Sequence, residues 1–592
     1  MSNDPERKIA TYCTTSHIAE NDATFRWYID ELSVFVAQGS PFGDLRLGYP
    51  TNRSATLVSF VAGQPDPLVK SDELAPSLAE VALGANSKVK STRWNTRGCL
   101  LLVVLVMLGM LLAAPTTALA QDEPATAVDT ESELRAAWAD PMRTSIELSS
   151  DIYLRQCRTG DPIRESARPM MLDGNGHTIR QTCFEKRLLR QDGTGFLVLK
   201  NVTLTRGGSD GPGAAVTTRG EIKVIDSKVQ QNLAEEPGGG IFSMRRATII
   251  RSVITNNLAN DDGGGVYARR GGVQVFKSIV SSNLVDGSGG AIGSTGDILL
   301  VRSHSDGNTT DGDGGALYAD EDGDVTVIDS TVDGNDADGP GGAIWTLDGD
   351  VTVVNSTLNG NRADDRGGAI GGEADVVVIN STIARNAAVA HVGGGIWSRG
   401  NLYVANSTVS NNYAEGEGGG ILGGGVVSLD HSTVLDNVAP VAANVGAGER
   451  LESFASIIGP AKTDPLGGQV QPTEVNCRVS DSTSFGYNFV TDVSCGLDDP
   501  TDAVGEGNPM LGALQENGGF GETRLPEPGS PVLDRIPAGD CKLAPFDDVL
   551  HVGDQHLEGL VEDRLALMTK DQRGVSRPQG PACDVGAVEV EP

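Results

Sequence analysis

Between residues 213 and 437, apolar and polar positions alternate in short runs that return about every 25 residues. Examples are Val325-Thr-Val-Ile328, Val351-Thr-Val-Val354, Val376-Val-Val-Ile379 and Asn401-Leu-Tyr-Val404. Valine, isoleucine and threonine in alternation, bounded by Gly, Asp and Asn clusters, predict strands of four or five residues. Two landmarks frame each run. Gly-Gly followed by a small residue leads into an aliphatic anchor at Ile241, Val266, Ile292, Leu317, Ile344, Ile370, Ile396 and Ile421, with a worn copy ending at Val216. Later in each unit a Ser is followed five residues on by an Asn, at Asn232, Asn257, Asn283, Asn308, Asn335, Asn361, Asn386, Asn412 and Asn437.

A register held through nine units defines a repeat protein. No part of a unit has the length or period of a helix, so each unit predicts about three short strands joined by tight turns. Strands one unit apart can pair in parallel only if the chain coils on itself. The expected fold is therefore all-β, a parallel β-helix whose turns rise by about 4.8 Å. The Gly-Gly pair suits a corner that needs positive φ. An Asn at one place in every coil can stack its amide on the next, satisfying groups that burial would otherwise leave unpaired. The Asn and Ser columns thus read as structural ladders. The position after each anchor holds Phe242, Tyr267, Gly293, Tyr318, Trp345, Gly371, Trp397 and Leu422. If the anchors point inward, this aromatic column points outward and is a candidate ligand-binding stripe. With the opposite pleat it would be an internal stack.

The ends divide differently. Residues 1–97 form a preface without a strong period. Leu100–Ala114 is an apolar run preceded by Lys88, Lys90, Arg93 and Arg97 and followed by Ala118-Leu119-Ala120. Residues 98–120 therefore read as the core and cleavage region of an export signal, cut after Ala120. On that reading translation starts near residues 80–90. The alternative is an uncleaved anchor through residues 100–114, with the preface in the cytoplasm. Residues 121–212 read as an N-terminal cap and first coils, with a short helix over Glu131–Trp138, and 438–592 as a separate Gly/Pro-rich C-terminal region where the register ends.

Charge narrows the partners. The chain carries a formal −33, nearly all of it after residue 120. This disfavours nucleic acid and anionic lipid and leaves a polysaccharide or surface protein as the expected partner of a single-copy chain. Acidic turns such as Asp261-Asp262 and Asp364-Asp365 offer oxygen ligands to Ca²⁺. They show no repeated ligand spacing, so neither a metal site nor another cofactor is expected. Cys157, Cys183, Cys477, Cys495, Cys541 and Cys583 follow the signal, and an even count in an exported chain suggests three disulfides. None lies in the repeat, and neighbouring cysteines fall at its two ends, which favours 157–183, 477–495 and 541–583.

The Gly-Gly-Ala-Ile phrase with a later hydrophobe-x-x-Asn (Val332 to Asn335, Val409 to Asn412) resembles the repeats of polymorphic outer-membrane proteins. That resemblance implies a right-handed, single-stranded parallel β-helix of the pectin-lyase-like type. The phrases Asn508-Pro-Met-Leu-Gly-Ala-Leu514, Glu516-Asn-Gly-Gly519, Asp571-Gln-Arg-Gly574 and Cys583-Asp-Val-Gly-Ala587 resemble the choice-of-anchor Q domain of exported bacterial proteins, with 542–569 as an insertion. The expected function is adhesion, or carbohydrate or protein binding, at the cell surface or outside the cell. The alternative is a polysaccharide lyase or glycoside hydrolase. Such enzymes need paired carboxylates or a strand-borne basic residue, and no residue stands out as catalytic: Arg269, Arg270, Arg302 and Arg399 are available without one being marked.

Overall fold

The computed structural model describes residues 125–462, 475–541 and 569–590, together with the backbone of six strands between Arg7 and Val61. The signal region, Ala120 and the apolar run 100–114 lie outside the described residues. Met1–Ala118 and Leu119–Pro592 are separate units. In the first, the six strands pair antiparallel in chain order, an element for which the preface showed no sequence period.

The second unit is a right-handed parallel β-solenoid of about 13 turns. Sheet I has thirteen strands, from Ile163–Arg164 to Cys477–Val479, and contains the anchor strands such as Ile241–Ser243. Sheet II has fifteen, from Thr126–Val128 to Ser482–Ser484. Sheet III runs from Ile152–Leu154 to Ala503–Val504, with single-residue bridges at His304 and Thr331 in mid-course. A fourth column of two-residue strands, sheet IV, runs from Gly208–Ser209 to Tyr413–Ala414. It was not evident in the sequence, because two residues carry no readable alternation.

Pairing is in strict register, Ile241 with Val266 and Val266 with Ile292, so like side chains stack through the interior. The anchors, the alternate residues of sheet II and Val229, Ile254, Val280 and their equivalents in sheet III form one continuous buried core from Val128 to Leu497. The Asn ladder lies inside it. Each amide donates to the Oδ1 of the next Asn at 2.8–3.1 Å from Asn232 through Asn437. The Ser column does the same through backbone N–H groups, as in Ser330 N to Ser356 Oγ at 3.1 Å.

The N-terminal end is closed. The helix Glu131–Ala139 lies over the first coils, with Trp138 buried and its Nε1 donating to Arg190 O at 3.0 Å. Thr130 caps the helix through Glu133 N, and Glu133 returns a bond to Asp129 N at 3.0 Å, a reciprocal capping box. The solenoid continues beyond Asn437, where the sequence signature stops. Strands Val445–Ala447, Arg450–Phe454 and Ile457–Ile458 add a turn, and the amide ladder passes through Asn444 to Asn476. Asn444 follows Asn437 by only seven residues, which hides the rung from a 25-residue search. The structure forms disulfides Cys157–Cys183, Cys477–Cys495 and Cys541–Cys583.

Residues 510–541 and 569–590 leave the coil and fold back along the corner between sheets II and III. Val532, Ile536, Cys583 and Val585 pack on Val354, Val377, Ile379, Tyr403 and Phe454, the outward residues of sheet II. Gln572 accepts from Thr408 at 2.6 Å, and Ala587 N donates to Thr433 Oγ1 at 3.0 Å. Arg577, fully buried, reaches Asn406 Oδ1 at 3.2 Å and Glu589 at 3.3 Å. The C-terminal region is thus a strap across the later turns.

Candidate binding face

The anchors point inward, so the residues after them stand on the outer side of sheet I. They are not an open row of ring faces. Phe242, Tyr267, Trp345 and Trp397 are each less than a tenth exposed, and Tyr318 is half-buried. The expectation of a freely exposed aromatic stripe is corrected accordingly, and so is its alternative of an internal stack. The cause is the spacing of glycines in the same column. Gly371 lies between Trp345 and Trp397, and a Cβ there would meet the Trp345 ring at 2.5 Å. The indoles therefore lie down along the rod axis and stack on each other, centroids 5.8 Å apart. Gly293 likewise makes room for Tyr267, which stacks on Phe242 at 5.9 Å. The Arg366 guanidinium sits 4.6 Å over the Trp397 ring, a cation–π contact. Glycine turns flank the rest: a Cβ at Gly341 would meet Trp345 Cβ at 2.8 Å.

Carboxylates border this column. Asp262 accepts from Ser288 N at 2.8 Å, and Ser288 Oγ accepts from Asp313 N at 3.1 Å. Burial, with Asp365 and Asp262 nearby, pushes the Asp313 carboxyl up to about 6. Burial also raises Asp262, and burial with the neighbouring Asp262 and Asp320 pushes the Tyr267 phenol up to about 12. Tyr318 is raised for the same reasons, with Asp320 the leading charge. This strip is acidic, half-buried and edged by aromatic rims.

The basic candidates are dispersed. Arg302 lies at the corner of sheets II and III, paired with Asp329 at 3.3 Å. Arg269, Arg270 and Arg399 follow sheet I strands, with Arg399 paired to Glu373 at 3.1 Å. The structure therefore separates Arg302 from the carboxylates of the sheet I strip. Among the described residues, no three His, Cys, Asp or Glu side chains are grouped to hold a metal ion, and no helix is long and apolar enough to cross a membrane.

Sequence reasoning missed a buried polar cluster beneath the strap. His431 Nδ1 lies 2.7 Å from Asp430, both side chains essentially inaccessible. Burial lowers the His431 pKa against the opposing pull of Asp430, and burial lowers Arg577 in the same way. A signal existed. Val376-Val-Val-Ile379 is apolar on both strand faces, the pattern of a strand covered on both sides.

Compared with known proteins, the chain resembles a solenoid class described by adhesion. The family model of a pectate lyase-like adhesive domain matches residues 125–232, from the cap helix through the first Asn rung. No curated protein matches. A solved chain named L. reuteri 53608 SRRP shares 15% identity, with 62% of this chain and 98% of that chain covered and a TM-score of 0.20. At that score the likeness decides nothing about either chain.

Proposed function

We propose that the protein is an exported, surface-associated adhesion rod that binds carbohydrate or protein without transforming it. The observation that carries this reading is the match of residues 125–232 to an adhesive-domain model. The regularity of the solenoid supports it: the amide ladder runs without a break from Asn232 to Asn437, so the coil does not open to form a reaction cleft within the repeat. Fold alone does not set function. The contact strip is the outer side of sheet I, where Tyr318 and the rims of Trp345 and Trp397 lie beside Asp262 and Asp313. Such a strip offers partial stacking and hydrogen-bond acceptors to sugar hydroxyls.

One observation favours a second reading. Asp313, held at about 6 next to other carboxylates, has the poise of a general acid. A glycoside hydrolase would use it to protonate a leaving oxygen, with a neighbouring carboxylate ionised.

The full chain on an array of neutral and acidic polysaccharides, with and without Ca²⁺, separates the two. Binding with no new reducing ends or unsaturated product, weakened at least tenfold by Tyr318→Ala, supports adhesion. New reducing ends without unsaturation that are lost in Asp313→Asn replace it with hydrolysis, and an unsaturated product replaces it with elimination. Absence of both binding and product removes the carbohydrate form of the proposal.

A further inference from the structure

The turns that join sheet I to sheet II carry charge in an ordered sequence. Arg219 together with Glu221, then Arg245 and Arg246, then Arg269 and Arg270 occupy three consecutive turns. Asp320, Glu321, Asp322 and Asp324, then Asp348 and Asp350, then Glu373 and Asp375 occupy three others. One turn, Thr295-Gly296-Asp297, lies between the two groups. The antisymmetry extends one step further at each end, to Asp192 before Arg219 and Arg399 after Glu373. The order is thus an acid, one mixed turn, two basic turns, a central turn carrying Asp297, three acidic turns, then a base.

We infer that this edge is a two-fold interface between two copies of the chain, lying antiparallel with the axis at Gly296. A two-fold contact requires one patch to be complementary to itself. Rotation about the Thr295–Asp297 turn lays Arg269 and Arg270 against Asp320–Asp324 of the second copy. It lays Arg245 and Arg246 against Asp348 and Asp350, Arg219 against Glu373 and Asp375, and Asp192 against Arg399. The two basic turns, Arg245-Arg246 and Arg269-Arg270, then face acidic turns, while Asp297 beside the axis meets its own copy and Glu221 meets acidic groups as the like-charged exceptions.

Several features make the edge available. Arg245, Arg246, Arg269, Arg270, Asp297, Glu321, Asp322 and Asp348 are exposed. Among the described residues, the strap covers the corner of sheets II and III and not this one. The carboxylates are fixed as a rigid comb: Asp350 N donates to Asp324 Oδ1 at 2.8 Å and Asp375 N to Asp350 Oδ1 at 3.0 Å. Like charges so spaced repel along the edge, and a row of guanidinium groups at the same rise relieves that repulsion. Gly296 at the centre permits close approach. The formal −33 of each chain opposes association at long range, but that field is screened beyond about 8 Å at physiological salt, while contacts across the edge are shorter. This proposal departs from the expectation of a single-copy chain.

Sedimentation of the full chain tests the interface and reads mass, so its outcome is independent of any ligand. The wild-type chain sediments as a dimer that dissociates as salt is raised. Two variant sets, R245E/R246E/R269E/R270E and E321R/D322R/D348R, are each monomeric with unchanged circular dichroism. Mixed, they give a dimer of one copy each. Thr295→Cys, next to the axis, crosslinks two copies under mild oxidation. Arg399→Cys does not, because its two positions lie eight rises, about 38 Å, apart. A monomeric wild-type chain, a mixture that stays monomeric, or crosslinking at 399 but not at 295 overturns the proposal.

Discussion

Asn386 Oδ1 accepts two hydrogen bonds from Asn361, one from its backbone N–H at 2.9 Å and one from its side-chain amide at 3.0 Å. Asn361 in turn serves Asn335 in the same way and donates to Val332 O at 2.9 Å. One residue therefore satisfies groups on both adjacent turns. Asn361→Ala strips an acceptor from Asn335 and a donor from Val332, and costs about 1–3 kcal/mol. Denaturant unfolding of wild type and variant checks this; an unchanged midpoint refutes the ladder as a stabilising element.

Gly371→Ala should disturb the tryptophans without touching them in sequence. The added methyl meets the Trp345 ring at 2.5 Å, and overpacking of this kind costs about 1–3 kcal/mol. The near-ultraviolet circular dichroism of the Trp345–Trp397 pair should change at the same time. A full loss of stability with unchanged tryptophan signals would contradict the stacked geometry.

The strap should be released by breaking its buried ion pair. Arg577 and Glu589 are each about 1% exposed, and removing one partner of such a pair typically costs about 3–5 kcal/mol. Arg577→Ala is expected to raise hydrogen exchange in residues 510–541 and 569–590, while the rungs upstream of Asn335 keep their protection. Equal loss along the whole rod would show that the strap and coil unfold as one.

Two carboxyls predict an unusual pH response. Burial pushes Asp313 and Asp333 each up to about 6 from an ordinary 3.8. Between those values the folded chain binds more protons than the unfolded one, so these groups add stability as pH falls from 7 toward 4. His431 acts oppositely: its lowered pKa takes stability away as pH falls below about 6.5. The test is the difference between wild type and D313N/D333N across that range. The double variant should lose its acid-side gain, and parallel curves would refute it.

The repeat was readable because its signals are local. Gly-Gly before the anchor and Ser before Asn each reflect a constraint met within one turn or between adjacent turns. The orientation of the aromatic column was half-readable. Inward anchors place Trp345 outward, but its collapse onto Gly371 depends on rings two turns apart. The strap was unreadable because Gln572 meets Thr408, and Arg577 meets Asn406, across more than 160 residues. What marks its footprint is indirect. Corner positions that hold Arg251, Lys277 and Arg302 upstream become Asn355, Asn380 and Asn406 under it, because a buried corner favours amides that bond to one another over solvated charges.

That footprint bears on how the rod can change length over generations. Duplicating or deleting a whole 25-residue unit keeps the ladders in step wherever both neighbours are plain repeats. Between Thr357 and Phe454, however, each turn is matched to a particular strap residue, so an extra unit there would shift Gln572 and Arg577 off their partners. As far as the strap alone is concerned, length can vary on the N-terminal side of Thr357, with the downstream turns inherited as a block of fixed number. The two-fold charge order adds a second limit, since a unit gained between Asp192 and Arg399 would shift its register.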